Sequence, residues 1–323
     1  MVRGGLAWMS PKRLGAILRQ SGREASIVAT GGHFAGAAVT ELYRHLHPWL
    51  SDRSRVLSVL TPLPELVQAL NDFQPAILLS YPTAMVLLAQ EQTVGRLRIN
   101  PTLVVTAAEW LAPASREQIA AAFNCLVRDT YAASEFMGIA FDCGHGCLHV
   151  NSDWVILEPV DEAYQPVPPG QASHTVLLTN LANWVQPIIR YDLGDSITVS
   201  PDPCPCGSPL PAIRVEGRRD EILSLQAANG EVVHLLPMAL ATIIEETPGV
   251  RRFQVIQTAP ATLRIRLEVL PGADGPQVWE ILADRLRDYL SSQGLPSVQI
   301  QKAPQPPQRD PVSGKFRQIW ANL

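Results

Sequence analysis

An alternation of strand-like apolar runs with helix-like segments along the first 130 residues most constrains the fold. Residues 25–30 form an apolar run, followed by a Gly-rich segment from Gly31 to Gly36 and a helical pattern through Leu50. The same order recurs, with strands predicted at 55–60, 76–80, 103–106 and 126–130 and helices at 64–73, 82–92 and 113–123. Such alternation is typical of a mostly parallel sheet covered by helices. We therefore predict an α/β layer over residues 1–142.

A change of pattern after residue 142 predicts two further parts. From Cys143 the predicted strands are short and separated by Pro and Gly, at 154–160, 175–179 and 196–199, which indicates a β-rich lobe up to residue 217. Later, an alternating strand at 263–269 and an amphipathic helix at 276–291 precede strands at 298–302 and 315–320. We expect a small α+β domain over residues 218–323.

Length and charge limit what the protein binds. A chain of 323 residues exceeds the usual length of one domain, so at least two units are expected. Its 26 basic and 30 acidic residues give a net charge of −4, which offers no electrostatic basis for a nucleic-acid or anionic-membrane partner. The sequence contains no run of 18 apolar residues and no signal-like start, so we predict a cytoplasmic protein without a membrane partner.

Two acidic motifs are candidates for a nucleotide site. The segment from Asp129 to Glu135 reads DTYAASE: its small residues allow a close approach of the backbone to a ligand, Tyr131 offers a flat face to a base, and Glu135 is a candidate Mg²⁺ ligand. The segment from Arg190 to Asp195 reads RYDLGD, and Asp195 is a candidate acceptor for the ribose hydroxyls. The alternatives are a surface turn with a capping Ser134 and an ordinary turn with a capping Asp195.

Two basic motifs follow in the chain. Residues 217–221 read GRRDE, in which Gly217 suits a hinge and Arg218 suits a phosphate or ribose. Gly314 and Lys315 precede the last predicted strand, and a lysine there provides a compact positive charge for a reacting carboxylate and phosphate. The alternatives are a solvated charge cluster and a solvent-facing lysine.

The four motifs, in this order and spacing, resemble the adenylate-forming superfamily and, within it, the phenylacetate-CoA ligase-like branch. Ala107, Ala108 and Glu109 are similar to the family's small-small-Glu adenine segment, and residues 167–170 and 177–181 to its run before the arginine motif. Tyr81 lies in a segment similar to the family's aromatic segment after a strand, and His33 in one similar to a segment bordering the acyl pocket. The resemblance covers nearly the whole chain. It implies a truncated adenylate-forming large domain followed by a mobile C-terminal lid.

The resemblance also implies a two-step reaction. A carboxylic acid and ATP give an acyl-adenylate and pyrophosphate, and the thiol of coenzyme A then displaces AMP. The family's roles, carried over, place Lys315 and Glu135 in catalysis, with Glu135 holding Mg²⁺. The implied nucleotide-binding residues are Ala107, Ala108, Glu109, Asp129, Tyr131, Ala132, Ser134, Asp195 and Arg218, and His33 and Tyr81 are implied to line the acyl pocket.

Two departures from the family pattern affect what we expect of this chain. Ala132 stands where the family has Gly, and its methyl group would crowd a ligand. The family's phosphate loop, of the type SGTTG, would precede residue 1, and Gly31 to His33 do not replace it because they lack its hydroxyls and lysine. We therefore expect either a fragment of a longer reading frame or a degenerate member with weakened ATP use, and either a homodimer or a partner that supplies the missing N-terminal region.

Four of the five cysteines indicate a metal site. Cys143, Cys147, Cys204 and Cys206 lie with His149 in two ligand-rich turns, a pattern that suits tetrahedral structural Zn²⁺. A Cys, a His and a CxC unit also recur in the family that the chain resembles. We predict Cys143, His149, Cys204 and Cys206 as ligands, with Cys147 as the substitute for His149. The alternative is a set of reduced, unliganded cysteines.

Three other functions remain as alternatives. A catalytically silent nucleotide-binding or scaffold module, part of a split or degenerate ligase, would keep the site residues without cleaving ATP. An unrelated nucleotide-binding protein with a phosphate cradle at Gly31 to Gly36 leaves the later motifs unexplained, and a hydrolase built on Ser134 lacks GxSxG. The residues do not name the acid, since aryl, fatty and amino acids all suit the pattern.

Overall fold

The structure is a computed structural model that describes residues 8–30, 45, 48–215, 222–308 and 317–323. These residues divide into two compact units. The first contains most of the chain up to residue 215, and the second contains residues 222–308 and 317–323 together with residues 28–30 and Leu57–Leu66. The predicted domain boundary after residue 217 falls outside the described residues and stays a prediction.

A nine-stranded mixed sheet forms the centre of the first unit, in the order β11-β12-β7-β6-β5-β4-β3-β1-β2. Strands β1, β3, β4 and β5 pair in parallel. Strands β1 and β4 are short and mostly buried, as expected where helices cover both faces, whereas β5 is longer and contains Arg128 and Asp129. From β5 onward the pairing with β6, β7, β12 and β11 is antiparallel. The strands are β1 (Glu24–Val28), β2 (Ser54–Ser58), β3 (Ile77–Ser80), β4 (Leu103–Ala107), β5 (Leu126–Ala133), β6 (Phe136–Asp142), β7 (Leu148–Val150), β11 (Ile197–Val199) and β12 (Ala212–Val215).

The helices of the first unit begin where the sequence provides a start signal. Ser10 caps the first of them by accepting a hydrogen bond from the N–H of Arg13 at 3.3 Å, and Pro82 and Pro113 occupy first positions, where their fixed φ favours the helix. The helices are α1 (Pro11–Arg19), α2 (Leu63–Phe73), whose first residues belong to the second unit, α3 (Pro82–Thr93) and α4 (Pro113–Phe123), and a 3₁₀ helix spans Pro48–Arg53. Helix α4 has the bounds that its sequence pattern predicts.

A separate three-stranded antiparallel sheet contains β8 (Val155–Val160), β9 (Thr175–Asn180) and β10 (Tyr191–Asp192) in the order β10-β9-β8. Apolar residues of this sheet and of the antiparallel half of the large sheet share one core, which includes Tyr131, Ile139, Val176 and Leu178. The β-rich lobe predicted from residue 143 is therefore not built from one sheet. Strands β7, β11 and β12 continue the large sheet because their edges pair with β6 and with one another.

The second unit is a small α+β structure, as its alternating and helical patterns predict. Its four-stranded sheet has the order β17-β16-β15-β18, and β13 pairs with β14 as a hairpin. Helix α6 buries Val278, Leu282, Leu286 and Tyr289, which are the predicted apolar face. The elements are β13 (Leu223–Gln226), β14 (Val232–Leu235), α5 (Pro237–Glu245), β15 (Val250–Ala259), β16 (Thr262–Val269), α6 (Gly275–Ser292), β17 (Gln299–Lys302) and β18 (Ile319–Ala321).

Helix α6 has 18 residues, and its sequence includes the charged residues Glu280, Asp284 and Arg287. Within the described ranges, no helix combines the length and the apolar character that a membrane crossing needs.

Candidate active site and metal cluster

Most of the predicted nucleotide-binding residues that the structure describes lie at one edge of the large sheet. Strands β3, β4 and β5 run in parallel, and their registers pair Ser80 with Thr106 and Ala107 with Thr130. Their carboxyl ends therefore meet at the same edge, which is where ligands bind in open α/β sheets. Tyr81 follows β3, Ala108 and Glu109 follow β4, and the segment from Tyr131 to Glu135 ends β5.

Two carboxylates flank a buried tyrosine at this edge. The hydroxyl of Tyr131 donates to Oδ2 of Asp195 at 2.7 Å, although the two residues are far apart in sequence. Glu135 lies two residues after the end of β5, and the hydroxyl of Tyr191 hydrogen bonds to its carboxylate. The structure thus brings Tyr131, Glu135 and Asp195 together, and it adds Tyr191.

The protonation of the two tyrosines suits them as hydrogen-bond donors. Burial raises the pKa of Tyr131, and the Asp195 carboxylate raises it further. The hydrogen bond to Glu135 raises the pKa of Tyr191. Both hydroxyls therefore keep their protons at neutral pH, so each can orient a carboxylate whose remaining lone pairs accept from a ligand.

The turn between β5 and β6 differs from the predicted one. We expected the strand to end near residue 130, but Tyr131 pairs with Ala140 and Ala133 with Phe136, so β5 continues and turns directly into β6. No helix follows Ser134, which excludes the alternative of a helix-capping serine. A register shift between Tyr131 and Ala133 places Ala132 in a β-bulge. The φ of Ala132 is not positive, so the backbone there does not require the Gly of the family pattern.

The segment after β4 is tied to helix α3. The carboxylate of Glu109 accepts from the N–H and the hydroxyl of Thr83, both at 3.0 Å, and so caps the first turn of α3. Ala108 has a φ of +69°, which turns the chain sharply away from the sheet. Tyr81 is buried at the start of α3. Glu109 thus joins the segment after β4 to the start of α3. The predicted contacts of Ala108 and Glu109 with adenine, and of Tyr81 with the acyl group, stay predictions.

Asp129 points into the sheet. Its Oδ1 accepts from the hydroxyl of Thr106 on β4 at 2.7 Å, and burial raises the pKa of its carboxyl to about 7, against the effect of that hydrogen bond. Asp129 is therefore a structural carboxyl two residues before Tyr131, and its predicted role beside adenine is untested.

The loop that carries Asp195 is organised by Asp192. The carboxylate of Asp192 accepts from the hydroxyl of Tyr164 at 2.8 Å, from the N–H of Gly194 at 2.9 Å and from the hydroxyl of Thr175. These hydrogen bonds lower the pKa of Asp192, so it stays ionised. Sequence reasoning missed Tyr191 and Asp192 as contributors to the site, although both lie inside the RYDLGD motif.

Three predicted site residues, His33, Arg218 and Lys315, lie outside the described residues. Their roles in the acyl pocket, in nucleotide binding and in catalysis stay predictions.

The cysteines and histidine predicted to bind a metal come together at the opposite end of the β5–β6 hairpin. We call Cys143, Cys147, His149, Cys204 and Cys206 the cysteine cluster. The ligand atoms of Cys143, His149, Cys204 and Cys206 all lie within 4.8 Å of one another. Sγ of Cys147 lies 3.5 Å from that of Cys143 and 3.4 Å from that of Cys204, and Sγ of Cys143 lies 3.6 Å from that of Cys204.

These distances fit a tetrahedral metal site. Four sulfur ligands at about 2.3 Å from Zn²⁺ lie roughly 3.8 Å from one another, so the cluster needs little rearrangement to bind the ion. The N–H of Ser208 donates to Sγ of Cys206 at 3.4 Å and the N–H of Gly207 to the carbonyl of Cys204 at 3.1 Å, which folds the Cys-Pro-Cys-Gly turn around its thiols. The five donors exceed the four positions of such a site.

His149 is held in the tautomer that a metal requires. It is fully buried on β7, and its Nδ1 lies 2.9 Å from the carbonyl oxygen of Leu210. Because a carbonyl only accepts, Nδ1 carries the proton, and the lone pair of Nε2 points toward Sγ of Cys206 at 3.1 Å.

The thiols of the cluster differ in acidity. A hydrogen bond from the N–H of Cys206, helped by its neighbours Cys147, His149 and Cys206, lowers the pKa of Cys204 to about 6. Burial raises the pKa of Cys147 and of Cys206. Outside the cluster, burial raises the pKa of Cys125 to about 12, so it remains a thiol. Cys204 is thus the cysteine most ready to bind a cation as a thiolate.

Comparison with known proteins gives two curated relatives. The protein CapK of Staphylococcus aureus is 27% identical over 133 residues, which cover 41% of this chain and 28% of CapK. Phenylacetate-coenzyme A ligase of Thermus thermophilus is 24% identical over 207 residues, which cover 61% of this chain and 45% of that enzyme. The chain therefore spans less than half the length of either relative. No model of a known protein family matches it.

Solved structures share the fold. A 2-hydroxyisobutyryl-CoA ligase with a bound acyl-AMP in the postadenylation state superposes with a TM-score of 0.50 at 20% identity, over 95% of this chain and 68% of that one. The same ligase with 2-HIB-AMP and CoA in the thioesterification state gives 0.53 at 19% identity, over 93% and 65%. The chain thus has the fold of adenylate-forming CoA ligases, and the resemblance that the motifs predict is confirmed at the level of the fold.

Proposed function

We propose that this chain takes part in the ATP-dependent activation of a carboxylic acid to an acyl-adenylate and in transfer of the acyl group to coenzyme A. The observation that carries the proposal is the pair of carboxylates, Glu135 and Asp195, held by Tyr191 and Tyr131 at the carboxyl edge of the parallel strands. Two oriented carboxylates at this edge suit a nucleotide that presents ribose hydroxyls to one and a phosphate-bound cation to the other.

Each residue of the site has a proposed task. Asp195 accepts from the ribose hydroxyls, while the hydroxyl of Tyr131 fixes its orientation. Glu135 holds Mg²⁺, which supplies positive charge to the phosphate oxygens when it is bound. Lys315 brings an ammonium group to the acyl carboxylate and α-phosphate during adenylation, and Arg218 contacts the nucleotide.

Electrostatics explains why the lysine matters in the first step. Negative charge builds on the oxygens around the α-phosphorus as the carboxylate attacks, and an approaching ammonium group stabilises that charge. The thiol of coenzyme A then attacks the acyl carbon and AMP leaves. The 2-hydroxyisobutyryl-CoA ligase with this fold was solved with R3-HIB-AMP and with 2-HIB-AMP and CoA. These structures support the same substrate classes here.

The test is acid-dependent exchange of pyrophosphate into ATP with a panel of aryl, fatty and amino acids. It is run on this chain and on a version extended upstream to include an SGTTG-type loop, each with and without Lys315→Ala. We expect exchange with at least one acid in the extended form and a large loss on removal of Lys315. Turnover by the short chain that is unaffected by Lys315→Ala would contradict the assignment.

The second candidate is a catalytically silent nucleotide-binding module of a split or degenerate ligase. The described residues of the edge, Tyr131, Glu135 and Asp195, suit nucleotide binding as well as catalysis, which supports this candidate too. Isothermal titration with AMP separates the two functions, because binding of AMP without exchange in any form supports the silent module. A cytoplasmic location, and either a homodimer or another chain that carries the phosphate loop, belong to the same proposal. Light scattering of the purified protein measures self-association.

We also propose that the cysteine cluster binds one structural Zn²⁺. The donor distances and the tautomer of His149 support it. A catalytic zinc is disfavoured because the cluster itself contains no carboxylate and its thiols leave no vacant position. Metal analysis of the purified protein should find about one zinc per chain, whereas a metal-free and stably folded preparation would reject the site.

A further inference from the structure

A buried carboxylate, Asp142, lies between the cysteine cluster and the strand that leads to the nucleotide edge. It is the last residue of β6 and directly precedes Cys143, and it is only 1% exposed. Its backbone carbonyl accepts from Nε1 of Trp8 at 2.6 Å, so the main chain is fixed as well as the side chain.

The two oxygens of Asp142 serve different parts of the structure. Oδ1 accepts from the N–H of Gly144 at 2.5 Å, inside the turn that carries Cys143 and Cys147. Oδ2 accepts from the N–H of Asp129 on β5 at 3.3 Å and from Nη1 of Arg116 on α4 at 2.6 Å. One rigid group therefore joins the metal-binding turn to β5, two residues before Tyr131.

A second contact strengthens this connection. Gly144 has a φ of +89°, and a Cβ there would lie 2.8 Å from Nη2 of Arg128 on β5. The turn therefore packs against β5 through a side chain as well as through Asp142. A change in the turn cannot be absorbed locally, because Asp142 is buried and its carboxylate has Arg116 as a charged partner.

We infer that Asp142 is a positioning residue that couples metal binding at the cysteine cluster to nucleotide binding at the edge formed by Tyr131, Glu135 and Asp195. Metal bound to Cys143 fixes the turn, the turn fixes Asp142 through Gly144, and Asp142 fixes β5 at Asp129. Because linkage is reciprocal, nucleotide binding strengthens metal binding by the same factor. This inference rests on the proposed function and on the proposed zinc site.

Asp142→Asn tests the coupling with the least change of volume. An amide has one acceptor oxygen and one NH₂ donor, so in either orientation the donor faces an N–H or a guanidinium that needs an acceptor. Glu91→Gln is the matched control. Glu91 is a buried carboxylate on helix α3, and its Oε2 lies 2.5 Å from Nε of Arg96. In the described hydrogen bonds it contacts neither the cluster nor β5.

The experiment measures the affinity for AMP by titration calorimetry in zinc-loaded and chelator-treated protein, and the affinity for Zn²⁺ with and without AMP. In the wild type and in Glu91→Gln we expect zinc to tighten AMP binding about 5- to 20-fold, with the same factor for AMP acting on zinc. In Asp142→Asn we expect that factor to fall to about one. A wild-type factor below about two, or an unchanged factor in Asp142→Asn, overturns the inference.

Hydrogen exchange of the amides at residues 131–135 separates this inference from the proposed function. Zinc loading should protect these amides in the wild type and not in Asp142→Asn, without any nucleotide present. If AMP does not bind but this pattern appears, the proposed function fails and the mechanical link holds; if zinc leaves these amides unchanged, the link fails. Should Asp142→Asn fail to fold, Arg116→Gln, which removes the charged partner of Oδ2, replaces it in the same measurements.

Discussion

The two ends of the β5–β6 hairpin build their sites in different ways. At the cluster end, all five donors come from short segments between Cys143 and Cys206, and their sulfur atoms already lie near the spacing that a tetrahedral ion requires. At the nucleotide end, the described residues supply two carboxylates and the two tyrosines that orient them, while the proposed cations come from Arg218 and Lys315. The cluster thus has a full set of donors among the described residues, whereas the proposed nucleotide site also requires residues from later in the chain.

The largest expected effect tests the dependence of the nucleotide end on a distant residue. Lys315→Ala should lower acid-dependent pyrophosphate exchange by at least about 100-fold, because a positive charge is lost where negative charge develops. Zinc content should not change. Lys302→Ala is the control, since Lys302 stacks on Trp279 in the second unit and has no proposed role in the reaction. Equal losses in both variants would contradict the special role of Lys315.

Removal of a cluster ligand should have the next largest effect, and it should appear in stability. The double variant Cys147→Ser, Cys204→Ser leaves only three of the five donors, so it is expected to abolish stoichiometric zinc binding and to lower Tm by about 5 °C or more, because the metal contributes directly to the free energy of unfolding. Metal analysis and calorimetry measure the two effects. Cys125→Ser replaces a cysteine outside the cluster and should retain zinc. A full zinc content in the double variant would reject the proposed four-donor site.

Asp195→Asn should weaken AMP binding by roughly 10-fold, since a charged hydrogen-bond acceptor for ribose is lost, with little change in Tm or zinc content. Titration calorimetry measures the affinity. Glu117→Gln, an exposed carboxylate on α4, is the control for the loss of one negative charge. An unchanged affinity in Asp195→Asn would show that Asp195 does not bind the ribose, and it would reject the proposed nucleotide site at this edge.

The last prediction concerns the pH dependence of stability. It comes from Asp129, a carboxyl on β5 between the two ends of the hairpin. The pKa of Asp129 is about 7 in the folded protein against an ordinary value of 3.8. The folded state thus holds a proton that the unfolded chain releases, so this group stabilises the fold at acidic pH and the contribution is lost as pH rises through about 7.

Asp129→Asn should therefore gain about 2 to 3 kcal/mol in unfolding free energy relative to the wild type between pH 5 and pH 8. Urea unfolding at the two pH values measures this difference, with Glu117→Gln as a control that should show none. The absence of any relative gain in Asp129→Asn between the two pH values would mean that the carboxyl titrates at its ordinary pKa in the folded protein.

The sequence predicts the local parts of this structure well and the long-range parts less well. The start of α4 at Pro113 and the buried face of α6 follow from residues close together in the chain, and the ligand-rich turns around Cys143 and Cys204 identify the cluster. The hydrogen bond from Tyr131 to Asp195 and the position of Asp142 between two sites depend on the pairing of β5 with β6, which no short motif specifies. For the same reason, the sequence pattern of the β-rich lobe does not predict that β7, β11 and β12 extend the large sheet.

The change from parallel to antiparallel pairing at β5 has a consequence for the order of folding. Strands β5, β6 and β7 are joined by short turns, so their contacts close small loops, whereas β1, β3 and β4 pair only after longer crossovers have closed. The antiparallel ribbon is therefore expected to form early and to offer β5 as a template for the parallel strands. Asp142 ends β6 and Cys143 begins the turn to β7. A cation that binds in this ribbon would therefore stabilise it in the folding chain before the parallel strands complete the nucleotide edge.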